Sequence, residues 1–166
     1  MIGPKSQWRF GYDSTTPEKI PRDAKMIFPY ITPSEFAWTD KQIALFPDAI
    51  PVRITVHGML PDWQQASIID VEHGAFTPEQ ARKFVIRRND FRPATATVYC
   101  NRATLPAVQA ACHGLHWHLF LASPDGNPEE IPPIPNVVAK QFRFHGDWDE
   151  SVVYDPTWHA HKADVT

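Results

Sequence analysis

The run SIIDVE, residues 67–72, carries two carboxylates one residue apart, Asp70 and Glu72. Side chains at i and i+2 of a strand point to the same side, so both acids share a face with Ile68 while Val71 lies opposite. The run leaves through His73-Gly74, which puts the pair at the C-terminal end of its strand. Two carboxylates held close repel, and one keeps its proton near neutral pH while the other ionises. That division supplies a general acid together with a nucleophile, base or electrostatic stabiliser, which is what glycoside hydrolysis requires. The same two residues also read as rim carboxylates paired with Arg53 or a nearby lysine, and D-x-E alone does not separate the two readings.

Other chemistries lack their motifs. There are eight histidines, with His116 and His118 on one strand face and His159 and His161 near the C-terminus. No spacing matches H-E-x-x-H or a Cys-His finger, and isolated histidines are the expected reading, with no metal. No G-x-S-x-G elbow and no glycine-rich phosphate loop occurs, so neither a serine hydrolase nor a nucleotide enzyme is indicated, and no cofactor is expected. The two cysteines, Cys100 and Cys112, lie in apolar surroundings and read as buried free thiols. A net charge of -3 and a pI near 6.2, without a basic stripe, argue against nucleic acid. No apolar run approaches the roughly 18 residues of a membrane span. The start, MIGPKSQWRFGYD, has no secretory apolar stretch. The expectation is a protein held in the cytoplasm until released by something else, or virion-associated if phage-encoded.

The elements that must position the acids are short. At 166 residues with 43% hydrophobic content the chain reads as one globular domain, with residues 1–8 and 156–166 peripheral. Apolar runs bounded by turn signals predict strands at Arg9–Asp13, Lys25–Ile31, Val52–His57, Ser67–Glu72, Thr95–Cys100, His116–Ala122, Val137–Phe142 and Ser151–Tyr154. Helices are expected at Thr39–Phe46, Thr77–Asn89 and Thr104–Cys112, the second with a Thr77/Gln80 capping box and Pro78 at its first position. Strands alternating with helices indicate an α/β fold with a parallel sheet, and eight strands indicate a TIM-type (β/α)8 barrel. Such barrels take about 250 residues. This one is therefore shortened, with several crossover helices missing, and either closed or open on the trimmed side. Trp63 and Trp148 fall in rim loops, where a ligand would meet them.

Four segments, GYDS closing the first strand, IIDVE the fourth, TVYCN the fifth and the final KQF…WDESVVYD, resemble the family 25 glycoside hydrolases, the muramidases. The likeness runs from about Phe10 to Tyr154 and is nearest to the glycoside-hydrolase-like proteins of actinobacteria and their phages. It implies that Glu72 is the general acid, and that Asp70 is the partner carboxylate that attacks the anomeric carbon or stabilises its developing charge. It also implies that Asp13 and Asp149 are the cleft's two further acids. Tyr30 and Tyr99 then form aromatic walls for sugar rings, Gln141 matches a glutamine of the penultimate strand, and Arg53 and His57 border the substrate. Where relatives carry Trp-x-Ala-Asp, this chain has Phe120, Leu121, Ala122 and Ser123, losing an acid and an indole. The loop after His57 is also longer than the tight turn of the nearest relatives. Two functions follow: cleavage of bacterial cell-wall glycan, or an inactive barrel that binds glycan or builds structure among other phage structural proteins or in a cell envelope.

Overall fold

The computed structural model describes residues 1–31, 34–56 and 63–159. In chain order the elements are β1 (Arg9–Asp13), β2 (Met26–Ile27), α1 (Asp40–Ile43), β3 (Ile50–Pro51), β4 (Ile54–Thr55) and β5 (Ile68–Asp70). They continue with α2 (Pro78–Phe91), β6 (Thr97–Asn101), α3 (Leu105–Ala111), β7 (His118–Ala122), β8 (Val137–Phe144) and β9 (Asp149–Val153). The architecture is mixed α/β: one nine-stranded sheet, order β3-β2-β1-β9-β8-β7-β6-β5-β4, with few helices.

The sheet curls. Its two edge strands, β3 and β4, are successive pieces of a single run of chain, and that run is hydrogen-bonded on both sides. Val52 N–H donates to Ile27 O at 2.9 Å and Ile54 N–H to Pro29 O at 2.8 Å, while Ser67 and Ile68 N–H both donate to Arg53 O. The interruption has a chemical cause, because Pro29 and Pro51 have no N–H to give to the ladder.

The sheet is not wholly parallel. β9 runs antiparallel to both β8 and β1, and it is joined to β8 by a short turn in which Gly146 takes a φ of 87°. A two-strand hairpin needs no crossover helix, so the last part of the sheet is made without one. The loop between β7 and β8 covers part of the bare outer face instead. There Lys140, fully buried, pairs with Asp125 at 2.6 Å and donates to the carbonyls of Asn127 and Glu130.

The helices present follow their caps. Thr77 Oγ1 accepts from Gln80 N–H and Gln80 Oε1 from Thr77 N–H, and Thr39 with Gln42 makes the same box ahead of α1. The expected cap by Thr104 is not made; Asn101 Oδ1 instead accepts from the N–H groups of Ala103 and Thr104, both at 3.0 Å. Helices α2 and α3 bury Phe84, Val85, Leu105 and Val108 against the outward residues Ile69, Val71, Val98, Cys100, Leu119 and Leu121 of the sheet.

The inward residues form a second core of Met26, Phe28, Val52, Ile54, Ile68, Phe120 and Val153. Gly11 lies against it. A Cβ there would sit 2.5 Å from Cε2 and 2.7 Å from Cζ of Phe28, so the glycine leaves room for that ring. Of residues 156–159, which the sequence puts at the periphery, Trp158 and His159 are buried. Trp158 is buried against Phe28 and Phe120 and donates its indole N–H to Thr97 Oγ1 at 3.0 Å. Arg9 holds this turn by donating to the carbonyls of Trp158 and His159.

Candidate active site

Above the aromatic floor of Phe28, Phe120 and Trp158, four carboxylates share one rim of the curled sheet. Asp13 ends β1 and Asp149 begins β9, and the two are paired directly across the antiparallel ladder. In an all-parallel sheet a residue entering a strand would face the opposite rim; the reversed direction of β9 is what brings Asp149 to Asp13. Asp70 ends β5 beside Tyr99 of β6, and Glu72 follows two residues later on the same side.

The electrostatics record how close they are. Asp13 is buried, and its carboxyl is pushed up to about 8, first by burial and then by Asp149, with smaller contributions from Asp70 and Glu72. The hydroxyl of Tyr30, donating to Asp13 Oδ2 at 2.6 Å, works in the other direction. Asp70 is pushed up to about 7 by burial and by Glu72. Asp149 rises to about 6 through burial, against a hydrogen bond from Gln141. Burial also raises Glu72, which Asn101 Nδ2 opposes by donating to Oε1 at 3.3 Å. One oxygen each of Asp70 and Asp149 is buried with no hydrogen-bond partner among the described residues. Such orphaned acceptors favour the protonated acid, which can donate.

Both tyrosines turn their hydroxyls on this ring of acids. Tyr99 donates to Gln141 Oε1, and its phenol is held well above the usual range by burial and by all four carboxylates. Tyr30 is held up likewise, by burial and by Asp13. Their rings pack edge-on against Phe36 and Phe120, at 6.5 and 5.1 Å between centroids. Each is therefore a holder of acids or of the glutamine before it is a wall, although Tyr30 also borders the groove.

That groove, about 200 Å³, opens beside Asp70 and Glu72 and is bordered by Tyr30, Phe36, Val56 and His73. Phe36, Val56 and Asn101 are residues of this region that the sequence did not single out. Asn101 was legible as a competing capping side chain in the run NRAT; nothing in the sequence marked Phe36.

Other expected site residues lie elsewhere. Arg53, on the outward side of the run between β3 and β4, lines a separate small pocket with Trp38, Asp40 and Gln65. Among the described residues it makes no ion pair with Asp70 or Glu72. His57 and His161 lie outside the described residues. Trp63 packs edge-on against Phe91 of α2, in the helix layer. Trp148 stays at the rim, stacked on His145 at 3.7 Å and edge-on to Tyr12. Ser123 is buried, with its Oγ accepting from Arg102 Nε at 3.3 Å.

The remaining reactive groups do not join this rim. Burial pushes the Cys100 thiol up to about 12 and that of Cys112 up to about 11, so both stay protonated and inert. His116 and His118 lie at the opposite end of the strands, beside Met1, Asp155 and His159. Among the described residues no group of three or more His, Cys, Asp or Glu could hold a metal ion.

No family model and no curated protein matches this chain. A solved structure does: a muramidase from Acremonium alcalophilum superposes with a TM-score of 0.60 over 95% of this chain and 98% of that one, at 9% sequence identity. The curled sheet with its sparse helices is thus a fold that a muramidase also adopts.

Proposed function

We propose that this protein is a glycosidase of muramidase type, cleaving the β-1,4 bond between sugars of bacterial cell-wall glycan at the rim formed by Asp13, Asp70, Glu72 and Asp149. The observation that carries the reading is the convergence of four carboxylates from three strands and the exit of one of them, with raised proton affinities, on a fold shared with a muramidase. A ring of like charges is costly to assemble and contributes nothing to stability, so a chemical use is its best account. We take the curled sheet to be a trimmed eight-stranded (β/α) barrel in which β3 and β4 are one interrupted strand, a view the hydrogen bonds around Val52–Ile54 support. The sequence motifs support kinship with the actinobacterial and phage proteins.

In this mechanism Glu72, half-buried beside the groove, gives its proton to the leaving glycosidic oxygen. Asp70 faces the anomeric carbon and stabilises the positive charge that develops there. The pair titrates as a unit and holds one proton below neutrality; burial favours that proton on Asp70, and the reacting form is the tautomer in which it sits on Glu72 and Asp70 carries the charge. Asp13, deeper and held by Tyr30, keeps a proton at pH 7 and lends no charge that would oppose ionisation of Asp70.

A second reading, binding of the same glycan without turnover, is favoured by Ser123, which stands with Arg102 where muramidase relatives carry an acid. One assay separates them. Purified protein and its Glu72→Gln variant are incubated with peptidoglycan, and released reducing ends are measured beside pull-down by the insoluble wall. Cleavage by the wild type, lost by about a thousandfold or more in Glu72→Gln with binding intact, is the expected result. Wall binding without released ends in either protein would replace the glycosidase with the binding module.

A further inference from the structure

Resting on the glycosidase reading, we infer that Asn101 is a positioning residue: its carboxamide ties Glu72 to the first turn of α3 and fixes the direction in which the acid faces the groove.

The orientation of the carboxamide follows from its partners. Oδ1 accepts from the N–H of Ala103 and the N–H of Thr104, both at 3.0 Å, and from the Thr104 hydroxyl at 3.2 Å. Backbone N–H groups can only donate, so the oxygen is committed to them and the NH2 group must point the other way. It points at Glu72, with Nδ2 3.3 Å from Oε1. The amide therefore cannot flip to offer an acceptor, and Glu72 meets a fixed donor on one oxygen. Its other oxygen is left for the groove.

Glu72 leaves its strand just before the His73-Gly74 turn, where Gly74 has a φ of 89°. A side chain there has no ladder to hold it. Asn101 lies on the inward side of β6 two residues after Tyr99, and its link to α3 transfers the rigidity of a packed helix to a carboxylate at a strand exit. This is how a general acid keeps its geometry from one turnover to the next. The other groups facing Glu72 are acids or phenols: Asp13 from β1, Asp70 from β5, Tyr99 from β6 and Asp149 from β9. The Cys100 thiol lies behind it in the helix layer. Among these Asn101 is the group that can only donate to Glu72 in this orientation, so it alone favours the ionised acid. It sets where Glu72 releases its proton as well as where it points.

Two measurements test this. In the wild-type protein the side-chain amide resonances of Asn101, followed by NMR against pH, will track the titration of the Glu72 carboxyl, and the transition will be absent in Glu72→Gln. In Asn101→Asp the two backbone amides keep an acceptor, so the fold and melting temperature hold, but Glu72 now faces a like charge. Its midpoint will rise by about one pH unit. The alkaline limb of the turnover profile will move with it, while KM stays put because Asn101 does not touch sugar.

An Asn101 amide that is flat across the Glu72 transition overturns the inference even if glycan is cleaved. So does an unmoved Glu72 midpoint in a folded Asn101→Asp protein. A wild type that cleaves no wall removes the glycosidase reading and leaves this contact to be judged by the amide titration, which needs no activity.

Discussion

Tyr30 shows how much depends on one hydroxyl. As a sugar-stacking wall it would act through its ring, and phenylalanine would replace it without loss. As a holder of Asp13 it acts through the hydrogen bond at 2.6 Å, which favours the ionised carboxylate against burial and against Asp149. The two roles part in Tyr30→Phe. Removing the donor leaves burial and the like charges unopposed, so the Asp13 midpoint will rise above its present value of about 8, followed by carboxyl NMR. An unchanged midpoint with weakened glycan binding would return Tyr30 to the wall. Tyr99 divides in the same way: its hydroxyl serves Gln141, and through Gln141 reaches Asp149.

Among the elements, β1 and β2 depend on a missing side chain. Gly11 has an ordinary strand partner in Met26, yet the ring of Phe28 occupies the space its Cβ would need. Phe28 cannot retreat, since Phe120 lies 5.1 Å away on one side and Trp158 6.3 Å on another. Gly11→Ala will therefore cost about 2–3 kcal/mol in urea-induced unfolding. Combining it with Phe28→Leu will recover part of that cost, a coupling read from the double-mutant cycle. If the two changes simply add, the glycine serves something other than this ring.

The same element shows what the sequence could and could not carry. Strand positions were readable wherever β-branched residues alternate, and helix starts wherever Thr stands three before Gln, because both signals are local. The pairing of Asp70 with Glu72 on one face was readable for the same reason. What was not readable is long-range. Nothing near Asp149 states that its strand runs backwards, although Gly146 marks a turn, and only that reversal makes Asp149 a neighbour of Asp13. The two prolines that break β2 and the run between β3 and β4 look like strand residues until the missing donors are counted. In NRAT, Asn101 and Thr104 compete for one helix start; Asn101 takes it, and the same side chain reaches Glu72 some thirty residues earlier in the chain, a contact that no local signal announces.

For the whole molecule, the ring of acids sets the direction of its pH dependence. Asp13, Asp70 and Asp149 have folded-state midpoints of about 8, 7 and 6, against 3.8 in the unfolded chain. Over that interval the folded state binds more protons than the unfolded one, so stability falls as pH rises from about 4 to about 8. Other groups act oppositely: Asp125, lowered by Lys140, Asp155, lowered by the N-terminal ammonium and Thr157, and the exposed Glu18, lowered by Gln42, lose their contribution only as pH falls below their unfolded midpoints, and His118, lowered by burial, costs stability as pH falls below its unfolded midpoint of 6.5. The melting temperature should therefore be highest in mild acid and decline through neutrality. Asp13→Asn isolates the main cause, because asparagine keeps an oxygen for the Tyr30 hydroxyl but carries no charge. At pH 8 it will stabilise the protein by about 2 kcal/mol, roughly 5 °C in a chain of this size, and the gain will shrink as pH falls, vanishing only below about pH 4, where Asp13 is neutral in the unfolded chain as well. Melting curves of the two proteins across that range decide the matter. A gain independent of pH would mean that the introduced asparagine merely packs better. A gain that grows steadily from about pH 4 to about pH 8 would mean that the native sequence keeps a buried acid at a standing cost in stability, as a site built for chemistry does and a purely structural sheet has no reason to do.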